Sequence, residues 1–121
     1  MKSFSDISED RIIFKSEYFF VIKDGFPVSP GHCLIITRAV KTTFFDLSAD
    51  ERAELVRVID DVKRLIEKDH SPDGYNIGMN CGEAAGQSVM HFHCHLIPRY
   101  EGDMENPRGG IRYCIPEKGA Y

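Results

Sequence analysis

Three histidines alternate with apolar residues in one short stretch of the chain, HFHCHLI at positions 91–97. In a β-strand, successive side chains point to opposite faces of the sheet. We therefore expect His91, His93 and His95 on one face, about 7 Å apart between neighbours, with the intervening apolar residues packed on the other face. Three imidazoles in this arrangement indicate a chemical site rather than three unrelated surface residues.

Imidazoles on one face of a strand support two kinds of chemistry. The first is metal binding, because histidine nitrogens are frequent zinc ligands. A carboxylate or thiolate would normally complete such a site, but Cys94 lies on the wrong face and no acidic residue closely follows the histidines. The second is nucleophilic catalysis at phosphorus, because neutral imidazole, with a pKa of about 6.5, attacks well near neutral pH and can leave again. The residues favour the second chemistry and leave the first open.

A loop of small and polar residues precedes the histidines, with the sequence NCGEAAGQS beginning at Asn80. Gly82 and Gly86 would let the backbone come close to a ligand, and the amides there would suit an anion. Gln87 and Ser88 add neutral hydrogen-bond donors suited to phosphate oxygens, and Asn80 can hydrogen-bond a bridging oxygen or a ribose. A Gly- and Ala-rich stretch is more often only a turn, so its proximity to the histidines is what makes it a candidate binding loop.

The hydrophobic pattern predicts the elements that must position these residues. Apolar and aromatic runs bounded by turn residues indicate strands at 11–14, 17–23, 32–37, 75–79 and 91–97, with a further short strand at 111–115. The strand that carries the histidines is expected to end before Pro98. Ser48 and Glu51 can form a capping box at the start of a helix that continues to about His70. This order predicts an α+β fold with a mostly antiparallel sheet of about five strands, one long helix and a shorter helical segment.

Length and composition exclude several classes of protein. A chain of 121 residues suits one domain and is too short for two independent ones. The formal net charge of −4 argues against a basic surface that holds nucleic acid, and the longest apolar runs are too short to cross a bilayer. The four cysteines form no C-x-x-C pair and the first ten residues contain no apolar signal core, so we expect a cytoplasmic protein with reduced thiols.

The stretch at 91–97 resembles the H-φ-H-φ-H-φ-φ signature, in which φ is apolar, of the histidine triad (HIT) family of nucleotide hydrolases and transferases. Asp24, the turn Pro30-Gly31-His32 and the loop from Gly82 to Ser88 also resemble the family pattern. The resemblance implies a HIT-like fold.

The resemblance covers about residues 11–99. It implies a single HIT domain at 1–121, in which 11–99 form the core and 100–121 form a C-terminal tail that varies between subgroups.

Four histidines match the family's catalytic positions. His93 resembles the nucleophile that attacks the α-phosphorus. His95 resembles the residue that contacts the phosphate and assists the leaving group. His91 resembles the residue that orients the nucleophile and shapes the phosphate pocket, and His32 matches a fourth site histidine behind the triad.

A second set of residues resembles the family's substrate contacts. Asp24 matches the residue that accepts hydrogen bonds from ribose hydroxyls, and Asn80, Gln87 and Ser88 match phosphate contacts. Some family members carry an N-terminal cysteine pair that contributes to a zinc site. No cysteine precedes Cys33 here, so we expect no metal and no other cofactor.

The implied activity is hydrolysis at the α-phosphate of dinucleoside polyphosphates such as diadenosine tetraphosphate, or of nucleoside phosphoramidates, through a nucleotidyl-histidine intermediate. The alternatives are a nucleotidylyltransferase or phosphorylase, and a nucleotide-binding regulatory protein with little turnover. The expected partners are a purine nucleotide or dinucleoside polyphosphate substrate and a second copy of the chain in a homodimer. Nucleic acid and membrane are not expected.

Overall fold

The computed structural model describes residues 3–121. Its regular elements are β1 (Ile12–Lys15), β2 (Phe19–Lys23), β3 (Cys33–Thr37), α1 (Ala49–Asp69), β4 (Gly74–Gly78) and β5 (His93–Arg99), joined by loops and short 3-10 turns. The strands form one antiparallel sheet in the order β1-β2-β3-β5-β4. The predicted α+β fold with a five-stranded antiparallel sheet and one long helix is confirmed.

Strand β5 alternates as predicted, but its bounds differ from the expectation. Cys94, Leu96 and Pro98 are buried on one face, whereas His93 and His95 lie half-buried on the other. The strand begins only at His93, because the amide of the preceding Phe92 donates to the carbonyl of Lys41 in a loop.

The strand also continues through Pro98, which was expected to end it. The pairing of β3 with β5 extends only to Cys33 opposite Leu96, so Pro98 lies past the last residue of β3. The carbonyl of Pro98 accepts instead from the Ser29 hydroxyl, 2.5 Å away. Proline has no backbone N–H, and the nitrogen of Pro98 faces a loop on this side. The proline therefore removes no hydrogen bond from the sheet.

Helix α1 covers the sheet face opposite the histidines. Its capping box forms as predicted, because the Ser48 hydroxyl accepts from the Glu51 amide at 3.1 Å and the Glu51 carboxylate accepts from the Ser48 amide at 2.7 Å. The buried residues Leu55, Val58, Val62 and Ile66 pack against the buried face of the sheet. Burial of such side chains contributes about 1.5–3 kcal/mol each, which fixes the sheet that carries the site. Within residues 3–121, no helix combines the length and apolar character needed to span a membrane.

The histidine face of the sheet carries a second, smaller apolar cluster. Ile22, Leu34 and Ile36 from β2 and β3 are buried there together with Phe4 from the N-terminal segment. Leu34 pairs with His95 and Ile36 pairs with His93, so the cluster and the histidines share one face. The N-terminal segment and the loop after β4 therefore close over this face.

The prediction of a short strand at 111–115 is wrong. The chain instead forms a 3-10 turn at Gly110–Cys114 and a second at Pro116–Lys118. Gly109 and Gly110 have φ values of +101° and +45°, which reverse the chain just before the predicted strand. The Arg112 guanidinium then donates to the carbonyls of Lys118 and Gly119 and holds the turns together.

Candidate active site

His93 presents one unprotonated ring nitrogen. Its Nδ1 lies 2.9 Å from the backbone carbonyl oxygen of His91. A carbonyl only accepts, so in the neutral ring Nδ1 carries the proton and Nε2 keeps its lone pair. His93 lines a cleft on this face of the sheet, about 490 Å³ in volume. The backbone thus selects the tautomer that a nucleophile requires.

His91 lies behind the cleft rather than in it. Its Nδ1 accepts from the Phe4 amide at 2.9 Å, and its Nε2 donates to the Thr37 carbonyl at 2.7 Å. The residue is only 1% exposed, and this burial is the main cause that lowers the pKa of His91. Both nitrogens of His91 are thus occupied and the residue meets His93 through its backbone carbonyl, so its role in shaping the phosphate pocket stays a prediction.

His32 and His95 form a directed pair. The Val28 amide donates to His32 Nδ1 at 3.0 Å, so the proton of neutral His32 lies on Nε2. That Nε2 is 2.9 Å from His95 Nδ1, which must accept. The proton of neutral His95 therefore lies on its own Nε2, the nitrogen left for the cleft that His95 lines.

Burial keeps this pair neutral. The pKa of His95 is lowered to about 4, first by burial and then by His93 and His32, with a partial offset from Asp24. The pKa of His32 is also lowered by burial, again offset by Asp24. At neutral pH, His95 therefore offers an N–H donor and carries no full positive charge.

Asp24 links β2 to the histidine pair. One carboxylate oxygen accepts from the Phe26 amide at 2.8 Å. The other lies 3.3 Å from His32 Nε2 and 4.0 Å from His95 Nδ1. Asp24 is half-buried and lines the cleft, so its carboxylate retains lone pairs for a ligand hydroxyl.

Asn80 and Ser88 both line the cleft. Both are exposed, and within residues 3–121 their side chains make no hydrogen bond in this structure. Gly86 lines the cleft between them with a φ of +93°, a conformation that favours glycine. The two polar side chains are therefore available to an anionic ligand.

Gln87 does not join them. It is 4% exposed, its amide oxygen accepts from the Gly82 amide, and its amide nitrogen donates to the carbonyls of Thr42 and Val89. Both amide hydrogens are used inside the protein, and the residue does not line the cleft. In this structure Gln87 fastens the loop to the chain near Thr42, and its role as a direct phosphate donor stays a prediction.

The rest of the cleft is lined by apolar side chains and by one arginine. Its apolar wall consists of Phe4, Ile7, Ile22, Phe26, Leu34 and Val89. The guanidinium of Arg11 also lines it, held by a hydrogen bond to the Lys23 carbonyl. An apolar half beside a polar half with histidines suits a ligand that joins a flat base to a phosphate chain.

Phe4, Ile7 and Arg11 were missed as site residues because their contacts are made across the fold. The available signal was the placement of Phe4 and Ile7 in an otherwise polar segment, SFSDISED. Apolar residues in such a segment indicate that it packs on the domain, although not where.

Three residues of the site are close enough together to be considered as metal ligands. One ligand atom each of Asp24, His32 and His95 lies within 4.8 Å of the others. The hydrogen bond from Val28 places the proton of His32 on Nε2, the atom that faces the other two. Binding a metal through Nε2 would require His32 to lose that proton or break the bond to Val28. The donor set therefore fits a hydrogen-bonded relay better than a metal centre.

Comparisons with known proteins identify similar sequences and structures. The model of the HIT domain family matches residues 6–102. An uncharacterized HIT-like protein from Methanocaldococcus jannaschii is 38% identical over 97 residues, covering 78% of this chain and 73% of the relative. A bis(5'-adenosyl)-triphosphatase from Saccharomyces cerevisiae is 32% identical over 93 residues, which are 76% of this chain but only 45% of the yeast enzyme.

A solved structure extends the likeness to the fold. The NitFhit protein of Caenorhabditis elegans superimposes with a TM-score of 0.77 at 33% identity, covering 91% of this chain and 26% of that protein. The chain therefore spans less than half the length of two of these three relatives.

Proposed function

The chain belongs to the HIT domain family, and from this premise we propose that it is a nucleotide hydrolase that cleaves dinucleoside polyphosphates at the α-phosphate through a nucleotidyl-His93 intermediate. The observation that carries the proposal is the tautomer of His93. Its Nδ1–H is held by the His91 carbonyl, and Nε2 is left with a lone pair at the cleft. The name of the yeast relative, which hydrolyses a compound of this class, supports the choice of substrate.

The first step forms a phosphorus–nitrogen bond. His93 Nε2 attacks the α-phosphorus, and the bond from that phosphorus to the bridging oxygen breaks. The ring gains positive charge as it attacks, which the His91 carbonyl stabilises through the retained Nδ1–H. Water then attacks the same phosphorus, the phosphorus–nitrogen bond breaks, and a nucleoside monophosphate leaves while the proton of the water passes to solvent.

The leaving group distinguishes the two proposed substrate classes. His95 offers a hydrogen bond from Nε2–H, which is enough for a phosphate that is stable as an anion near neutral pH. An amine released from a phosphoramidate needs a full proton, and the lowered pKa of His95 makes that transfer rarer. We therefore place dinucleoside polyphosphates first and nucleoside phosphoramidates second.

The cleft accommodates the remainder of such a substrate. The apolar wall would contact a purine base, and Asp24 would accept from a ribose hydroxyl. Asn80 and Ser88 would donate to phosphate oxygens, an interaction worth about 3–4 kcal/mol for a well-placed donor in a transition state.

We also propose a homodimer located in the cytoplasm. Strand β4 is an edge of the sheet, and edge strands favour pairing with another chain. The exposed side chains Ile77, Ile111 and Ile115 line one cleft beside it, which gives a second copy an apolar surface to cover.

The test is His93→Ala compared with the parent protein on a panel of dinucleoside polyphosphates. We expect turnover to fall by several orders of magnitude with an unchanged melting temperature, because the nucleophile is lost and the half-buried ring contributes little to the core. Rapid quenching of the parent enzyme should capture a nucleotide on His93. A folded variant with full activity would refute the assignment.

Two further measurements separate the alternatives. With inorganic phosphate added, a phosphorylase releases a nucleoside diphosphate, whereas the proposed hydrolase continues to release the monophosphate. Tight purine nucleotide binding without product after prolonged incubation would instead identify a regulatory binding protein.

A further inference from the structure

Phe4 lies where the cleft and the histidines meet, although it precedes the residues matched by the family model, 6–102. It is 7% exposed, and its ring centroid is 5.1 Å from that of His93 and 5.7 Å from that of His91. The same ring lines the cleft. One side chain therefore touches the nucleophile, the residue behind it and the space for the ligand.

The backbone of Phe4 determines the state of His91. Its amide donates to His91 Nδ1 at 2.9 Å, which leaves the His91 proton on Nε2. Nε2 donates in turn to the Thr37 carbonyl at 2.7 Å. The His91 ring is thus held from both sides, by the N-terminal segment and by the end of β3.

The contacts of His91 also hold the nucleophile, His93, in position. The carbonyl of His91 accepts from His93 Nδ1 and leaves His93 Nε2 free. Because the His91 ring is anchored at both nitrogens, the backbone carbonyl of the same residue is held where it accepts from His93. The edge of the Phe4 ring, at 73° to the plane of His93, also limits tilting of the His93 ring.

We infer that Phe4 is a positioning residue, whose amide fixes the His91 tautomer and whose ring aligns His93 for attack. The inference rests on the proposed function of His93. It adds that the N-terminal segment, which also supplies Ile7 to the cleft, couples nucleoside binding to the alignment of the nucleophile.

The kinetic test compares Phe4→Ala, Phe4→Pro and the control Ile7→Ala. Ile7 lines the same cleft, and within residues 3–121 its only backbone hydrogen bond outside regular elements is to the Phe4 carbonyl. Ile7→Ala should raise KM several-fold and lower kcat much less than Phe4→Ala does. Phe4→Ala should also lower kcat about tenfold, since small misplacements of a reacting group cost up to about a hundredfold. Phe4→Pro, which lacks the amide as well as the ring, should lower kcat about tenfold further.

A spectroscopic test needs no turnover. Long-range ¹H–¹⁵N imidazole spectra of the parent protein should show His91 protonated at Nε2 alone. Phe4→Ala should keep that signature because it keeps the amide, whereas Phe4→Pro should lose it. Both variants should show a melting temperature high enough for assay at 25 °C, and Phe4→Ala keeps the kinetic test available if Phe4→Pro does not fold.

The outcomes separate this inference from the proposed function. An active parent enzyme with unchanged kcat in both Phe4 variants overturns the positioning role and leaves Phe4 as a wall of the cleft. An unchanged His91 spectrum in Phe4→Pro overturns the role of the amide. A parent protein that never carries a nucleotide on His93 refutes the proposed function itself, whatever the spectra of His91 show.

Discussion

Replacing Gln87 by alanine separates two roles for this residue. A direct phosphate ligand would be needed for catalysis and would contribute little to stability. The structure instead shows Gln87 buried, with its amide bonded to Gly82, Thr42 and Val89. We therefore expect Gln87→Ala to act mainly on the free energy of unfolding.

The magnitude follows from the three hydrogen bonds that are lost. A neutral hydrogen bond contributes about 1 kcal/mol net, and a partner left buried without one costs more. Thr42 is exposed and Gly82 is half-buried, so water can satisfy part of what is lost. The expected destabilisation is about 2 kcal/mol, equivalent to a fall in Tm of about 6–12 °C for a chain of this size.

Urea unfolding followed by circular dichroism measures this change, with Ser88→Ala as the matched control. Ser88 is the next residue in the loop, but it is exposed and lines the cleft. Ser88→Ala should change stability by less than about 0.5 kcal/mol while raising KM. Gln87→Glu should be at least as destabilised as Gln87→Ala at pH 8, because a carboxylate cannot donate to the two carbonyls.

The opposite pattern would refute this reasoning. If Gln87→Ala unfolds at the parent urea concentration yet loses most of its kcat/KM, the amide is a ligand contact and the loop does not depend on it.

Two further predictions concern His95 and the assembly. Because burial and the neighbouring histidines lower the pKa of His95 to about 4, its doubly protonated fraction rises about tenfold per unit as pH falls from 7 to 5. The ratio of kcat/KM for a phosphoramidate to that for a dinucleoside polyphosphate should therefore increase over this range, and a constant ratio would contradict the acid role of His95. Light scattering at micromolar concentration should give twice the 13.8 kDa mass of the chain, whereas a monomeric mass would contradict the proposed homodimer.

Helices and strands were predictable where the pattern of neighbouring residues in the sequence indicates which side chains are buried or how a helix end is capped. The alternation after His91 indicated which residues of β5 face the apolar core, because side-chain direction in a strand has a period of two residues. The capping box at Ser48 likewise indicated where α1 begins, since both of its hydrogen bonds join residues three apart.

The hydrophobic pattern did not contain the contacts and backbone angles that decide three other features. Pro98 stays within β5 because β3 has already ended beside it, which no window around the proline reveals. The strand expected at 111–115 had a suitable apolar pattern, but the positive φ angles of two glycines turn the chain there. Gln87 resembles a phosphate contact by position, and only the fold shows that its amide hydrogens are donated to the carbonyls of Thr42 and Val89.

The amino-acid sequence by itself placed His93 and His95 on one face of a strand, because strand geometry depends only on successive residues. It also indicated, through the family resemblance, that Asp24 and His32 would join them. Only the tertiary structure decided which ring nitrogens are free, because those protons are set by the His91 carbonyl, the Phe4 amide and the Val28 amide. A tautomer depends on the partner that each nitrogen meets, and most of those partners are brought to the histidines by the fold of the whole chain.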